Sequence, residues 1–324
     1  MKHVEQMIQL GYISGKNATS WSFKDSGGAM RANAQDQFRM HLGHALRPPG
    51  NFKEEAIRTA EEISDSAKGH AVTVLASGGL DSEVVLKSFL LAKRPFEVVA
   101  FDLSSTNGDE LFHLDHFCRN HQIKYKKIHI DVEQFWENDL ESFARTSGST
   151  SPQINTLLFG LSKIEGHVVL GDGELSIRKK GKEFFEIWRE RHSFARWMLS
   201  QNRPGCPSFF SYSPELELSM YADSIVEDFT KYGWYMLDCY HFDYCKPFLY
   251  YHHFGTRLRG KVDIFKPLRD LEQQSRNYLQ KLLPGADGEV QMSYSQVLAH
   301  LRREDTSANT THEEIENGSR LVIG

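Results

Sequence analysis

The sequence predicts an α/β protein, a doubly wound parallel sheet followed by a C-terminal helical lobe. Three observations carry that prediction. Four short apolar or β-branched runs alternate with segments of helical periodicity between residues 70 and 170. A glycine-rich turn joins the first run to its helix, and aromatic residues on helical patterns crowd the chain after residue 175. Strand and helix in alternation build a parallel sheet covered on both faces, because every crossover returns over the sheet.

Residues 1–50 hold scattered polar, glycine and aromatic residues with Gly27, Gly28, Pro48 and Pro49 as breakers, and read as an irregular N-terminal segment. From Asn51 to Ala67, Phe52, Ala56, Ile57, Ala60 and Ile63 recur at helical spacing. The α/β core spans 51–175. Its predicted strands are His70 to Ala76, Phe96 to Leu103, Lys124 to Asp131 and His167 to Leu170. Its predicted helices are Ser82 to Ala92, Asp109 to His121, Val132 to Ala144 and Gln153 to Ile164. Residues 176–302 read as the aromatic-rich helical lobe that completes the site, and 303–324 as a polar, flexible tail.

With 324 residues, 40% of them hydrophobic and 25% charged, the chain has enough apolar material for a large core. The net charge of -5 comes from acids and bases mixed along the sequence, so no cationic field supports a nucleic-acid partner. The opening MKHVEQMIQLGY has no continuous apolar stretch, and no run approaches membrane-spanning length. Cys118, Cys206, Cys239 and Cys245 never fall in a CxxC spacing. Cys239 and Cys245 lie near His241, Asp243 and His252, but the irregular spacing within an aromatic run favours packed free thiols over a metal cluster. The expectation is a cytoplasmic protein with no membrane contact.

The strongest local signal is SGGLDS, comprising Ser77, Gly78, Gly79, Leu80, Asp81 and Ser82, at a strand-to-helix junction. Such a junction aims unpaired backbone N–H groups and the positive end of the helix dipole at one point, which suits a phosphate. The two glycines let the backbone approach closely, and the serines add hydroxyls. Asp81 would repel bare phosphate, so its place in the loop implies Mg²⁺ between carboxylate and phosphates. An ordinary glycine turn is the plainer alternative; the strand before and the helix after weigh against it.

SGGLDS resembles the SGGxDS loop of the N-type ATP pyrophosphatases, also called PP-loop or adenine nucleotide α-hydrolase-like enzymes. The resemblance implies a fold of that type, bound ATP and Mg²⁺, transfer of AMP to a carboxylate or carbonyl oxygen, and release of pyrophosphate. A nitrogen or sulfur nucleophile then displaces AMP. A second stretch, VVLGDGELS from Val168 to Ser176, resembles the VVLSGEGADE type of loop in the synthetase domain of asparagine synthetase. Gly171 and Gly173 fall on its glycines and Asp172 on its glutamate, whereas Glu174 and Leu175 depart from it.

By that resemblance Asp172 either deprotonates the amine or holds a second Mg²⁺, although Gly-Asp-Gly alone is also an ordinary turn. CKPFLYYHHFGTRLRGK resembles the family's lysine-bearing segment, making Lys246 the candidate for neutralising pyrophosphate charge, assisted by Arg257 or Arg259. The segment FFSYSPELELSMYADSI resembles the proline-containing turn that opens a helix upstream of it. A surface lysine with an apolar stem is the plainer reading of Lys246. RKKGK, from Arg178 to Lys182, reads as a solvated face or a lid. Leu103, Ser104 and Ser105, at the end of the second strand, are the positions for adenine, with Asp109 and Glu110 near the ribose.

The implied activity is an ATP-dependent, AMP-forming ligase of asparagine synthetase type acting on a small-molecule carboxylate or carbonyl. The chain reads Met1, Lys2, His3, without the glutaminase cysteine of such synthetases. Its nitrogen would then come from ammonia, an amine, or a separate glutaminase subunit. The alternatives are a sulfur-transfer enzyme and a nucleotide-binding module that makes no bond.

Overall fold

The computed structural model describes residues 20–24, 37–42, 44–103, 106–172, 177–180, 183–187, 191–232, 242–258, 263–283, 291–302, 312–316 and 319–323. Strands β1 (Ser20–Lys24) and β2 (Gln37–Leu42) precede helix α1 (Phe52–Ser66). Asn51 starts α1 by a reciprocal capping box with Glu54, which satisfies two otherwise orphaned N–H groups. Then β3 (Val72–Leu75), α2 (Leu80–Ala92), β4 (Glu97–Asp102), α3 (Gly108–Asn120) and β5 (Tyr125–His129) follow in strict alternation.

The helix predicted over Val132 to Ala144 is broken at Asp139, giving α4 (Val132–Asn138) and α5 (Leu140–Ser147). Helix α6 (Pro152–Leu161) leads to β6 (His167–Leu170).

Strands β3, β4, β5, β6 and the two-residue β9 (Gly205–Cys206) form a five-stranded sheet in the order β5-β4-β3-β6-β9, every neighbour pair parallel. The chain steps outward from β3 to β5 and then crosses to β6, so the topological switch point lies between β3 and β6, where ligands of open α/β sheets bind. Side chains along the strands alternate between two cores. Val72, Val74, Val98, Ala100 and Val169 join one, and Val99, Phe101, Val168 and Leu170 the other.

The first core also takes α1, α2 and α3; the second takes α4, α5 and α6. Both faces of the sheet are therefore covered, as a doubly wound sheet requires. Each fully buried Leu or Phe in these layers contributes about 1.5–3 kcal/mol of transfer free energy. At Gly160 the fit is so close that an added Cβ would lie 2.5 Å from the Phe101 ring.

The C-terminal lobe carries helices α7 (Arg191–Ser200), α8 (Pro214–Tyr221), α9 (Ser224–Tyr232), α10 (Phe242–Phe254), α11 (Arg269–Leu282) and α12 (Tyr294–Arg302). It is not wholly helical. Strands β7 (Ile177–Lys180), β8 (Glu183–Ile187) and β10 (Gln291–Ser293) pair antiparallel in the order β10-β8-β7. Arg178, Lys179 and Lys180 thus lie on the edge strand of a hairpin.

The terminal segments also differ from the expectation of irregular and flexible chain. Strands β11 (His312–Glu316) and β12 (Ser319–Ile323) join β1 and β2 in a sheet ordered β1-β2-β12-β11. Pairing between residues 37–42 and 319–323 is non-local, so neither partner signals it in its own neighbourhood.

His167 opens β6 at the sheet end away from the switch point, with 1% exposure and, among the described residues, no hydrogen-bond partner for Nε2. Burial, reinforced by nearby His70, pushes its imidazole from 6.5 down to about 4. The unfolded ring accepts a proton near 6.5 and the folded one resists it. Stability is therefore full above that value and declines as pH falls toward the folded pKa. Between about pH 7 and pH 5 the loss is expected to be about 2 kcal/mol. Urea midpoints of wild type and His167→Leu across this range check it: the variant should lose that component of the acid slope, and equal slopes would show that another group sets it.

Candidate active site

The first loop follows β3 at the switch point. Gly78 has φ +93, and a Cβ there would stand 2.0 Å from the Glu110 carbonyl oxygen of α3, so no other residue fits without moving backbone. The Gly79 N–H donates to Ser77 Oγ (3.0 Å) and the Gly78 N–H to Ser82 Oγ (3.2 Å). Ser82 Oγ donates in turn to the Gly79 carbonyl at 2.9 Å. These bonds fix the loop's curvature. Gly79 is the N-cap of α2 and offers no side chain to it, whereas Asn51, Asp131, Ser151 and Ser213 cap α1, α4, α6 and α8. The first turn of α2 therefore presents its N–H groups outward at the positive end of the dipole.

Asp81 stands in that first turn, and the lobe reaches it across 165 residues. Lys246 Nζ donates to Asp81 Oδ2 at 2.9 Å, and the Tyr250 hydroxyl donates to Asp81 Oδ1 at 2.8 Å. Both donors lie on α10, one helical turn apart, which places them on the same face. Lys246 is only 8% exposed, so the reading of it as a surface lysine is corrected: its stem is enclosed and its ammonium faces the loop.

A second tie holds α10 in register. Lys87 of α2 donates to the carbonyls of Phe254 (3.0 Å) and Gly255 (3.2 Å) while pairing with Glu83 at 2.9 Å. It satisfies carbonyls at the end of α10 that the helix itself leaves open.

The second loop leaves β6 on the other side of the switch point. A Cβ on Gly171 would lie 3.4 Å from the Ser82 nitrogen and 3.5 Å from the Asp81 carbonyl carbon. The loop thus rests directly on the first turn of α2, and Asp172 adjoins the phosphate loop. The Phe209 and Phe210 N–H groups donate to the carbonyls of Leu170 (3.0 Å) and Asp172 (3.2 Å), tying this loop to the chain after β9. Gly173, Ser104, Ser105, Arg259 and Cys239 lie outside the described residues.

Leu103, expected at adenine, lies inside the protein at the end of β4. It is 1% exposed in the second core. Its N–H donates to Asn107 Oδ1, and its carbonyl accepts from both the N–H and the hydroxyl of Thr106. The residue closes the strand end and offers no free polar group. Arg257 Nη2 approaches His116 Nε2 of α3 at 2.7 Å.

Among the described residues no three His, Cys, Asp or Glu side chains gather as a metal cage. Mg²⁺ does not need one, since it is commonly held by one or two carboxylates together with phosphates and water. Asp81 and Asp172 are two carboxylates on adjoining loops. The bonds from Lys246 and Tyr250 use one lone pair on each Asp81 oxygen and leave the second.

Fold and loops together define an open α/β protein with a parallel sheet and two glycine- and acid-bearing loops that meet at its switch point. No protein-family model matches the chain, and no curated protein matches it in sequence. Among solved structures it is similar to NMN synthetase from Francisella tularensis, with 12% identity over 73% of this chain and 96% of that one and a TM-score of 0.35. It is also similar to the NH3-dependent NAD synthetase from Campylobacter jejuni subsp. jejuni NCTC 11168 in complex with the nitrate ion. That likeness has 15% identity over 82% of this chain and 100% of that one, with a TM-score of 0.33. At these values the likeness carries no inference about activity or substrate. No described helix is long and apolar enough to cross a membrane.

Proposed function

We propose that the chain is an ATP-dependent, AMP-forming ligase that adenylates a small carboxylate or carbonyl substrate and couples it to a nitrogen nucleophile. One observation carries the reading. A nearly buried lysine and an aspartate from segments 165 residues apart meet at the uncapped start of α2, against the second acidic loop. A structural helix start needs a cap, not a cation brought from a distant lobe. A polyphosphate needs both donors and a cation.

In this reading the Ser77 to Ser82 loop binds the β and γ phosphates through backbone N–H groups, and Lys246 turns its ammonium toward the charge that develops on pyrophosphate. Mg²⁺, when bound, offsets phosphate charge and polarises the α-phosphorus; Asp81 and Asp172 would hold it. With Asp81 alone on the metal, Asp172 would instead accept a proton from the attacking amine.

The sulfur-transfer alternative requires a thiolate. Burial pushes the thiols of Cys118 to about 11 and Cys206 to about 12, and raises that of Cys245 further still. These three thiols therefore resist ionisation.

The test is ATP turnover with Mg²⁺ against pooled carboxylates and amines, resolving AMP plus pyrophosphate from ADP plus phosphate. Wild type should form AMP and pyrophosphate, and Asp81→Ala should lose both. ADP as the product would sink the mechanism, and ATP binding without turnover in any pool would favour the non-catalytic module.

A further inference from the structure

Tyr250 stands between the two loops. Its residue is fully buried, and its ring stacks on Phe52 of α1 (centroids 5.8 Å, 24° between planes) and on Phe210 (5.8 Å, 13°). Phe52 and Phe210 are themselves 6.3 Å apart, so the three rings form a closed triangle, and a fully buried ring in so packed a cluster has few rotamers open to it. Its hydroxyl is therefore fixed in space, and that hydroxyl donates to Asp81 Oδ1. On the other side, Phe210, which the ring stacks against, donates its N–H to the Asp172 carbonyl. One side chain thus touches the first acid directly and the second through a single intervening residue. Lys246, one turn earlier on α10, binds the other Asp81 oxygen, so the carboxylate is held at both ends from one helix.

We propose that Tyr250 is a positioning residue that locks Asp81 and Asp172 in one geometry, so that the two loops receive a magnesium nucleotide as a unit. The hydroxyl orients Asp81; the ring, through Phe210, sets the Asp172 loop. The ligand in this statement rests on the proposed function, whereas the mechanical link between Tyr250 and the two acids does not.

Two measurements separate them. In the first, urea denaturation of wild type, Tyr250→Phe, Asp81→Ala and the double variant gives the coupling between hydroxyl and carboxylate without any ligand. The effects should be strongly non-additive, with Tyr250→Phe costing little once Asp81 is replaced. Additive effects would overturn the proposal.

In the second, calorimetric titration with Mg²⁺·ATP compares wild type, Tyr250→Phe and Tyr250→Leu. Tyr250→Phe keeps the stack and should weaken binding about tenfold, the factor expected for one hydrogen bond to a charged group. Tyr250→Leu, checked for folding by circular dichroism, should weaken it further because the Asp172 loop is released as well. Should wild type bind and Tyr250→Phe bind equally well, the positioning role is wrong. Should wild type not bind Mg²⁺·ATP, the proposed function fails, and the denaturation cycle alone decides the link.

Discussion

Lys246→Met is expected to cut AMP-forming turnover by about a hundred- to a thousandfold, the range seen when a single preorganised stabiliser of developing charge is removed. Methionine keeps the length and apolar stem that the enclosed lysine uses, so packing is nearly conserved and the ammonium alone is lost. The Asp81 carboxylate, which now shares Lys246 and Tyr250, would keep only the phenol. Loss of a charged hydrogen bond at this partly buried pair should cost about 2 kcal/mol of stability.

Lys246→Arg should recover stability better than turnover, because a planar guanidinium does not reproduce a compact ammonium. Pyrophosphate release and urea midpoints on the same preparations check both. Unchanged turnover in Lys246→Met would remove this residue from the reaction and leave it a structural partner of Asp81.

Gly78→Ala should be strongly damaging, since among the described glycines an added Cβ approaches backbone most closely there. The residue sits at φ +93, and the new methyl would lie 2.0 Å from the Glu110 carbonyl oxygen and 2.7 Å from its carbon. The clash is with backbone of α3, which cannot swing aside as a long side chain would. Left-handed strain of about 1 kcal/mol and overpacking of about 1–3 kcal/mol combine, so a loss of about 3 kcal/mol is expected along with loss of Mg²⁺·ATP binding.

Gly69→Ala supplies the control, since its φ is +87 but nothing lies within 4 Å of the added carbon. That variant should lose only the conformational part. If both glycines cost the same, contact with α3 does not constrain the loop.

How far the site could be read in advance depended on where its determinants lie in the chain. SGGLDS was legible because strand, glycine turn and helix start are neighbours in sequence, and the structure keeps all three adjacent. The second loop was legible for the same reason, as it follows directly on β6. The strand-end position of Leu103 held no sign of Asn107, whose side chain closes that turn through its Oδ1 and Nδ2. Tyr250 gave no signal, since an aromatic in CKPFLYYHHF reads as core, and its ring is core; only its hydroxyl reaches Asp81. The strand β9 has two residues, too few for any periodicity.

The sequence by itself determined the alternation of strands and helices from 70 to 170, the covered parallel sheet that follows from it, and the chemical character of the two loops. These rest on interactions within a few residues: β-branched runs, capping, and glycines at strand ends. Only the tertiary structure decided that β6 lies beside β3, that the two loops touch at Gly171, and that Lys246 and Tyr250 meet Asp81. It also decided that the chain's two terminal segments share one sheet. Each of these is a contact between distant segments, set by which buried faces fit together, and a local pattern holds no record of its partner.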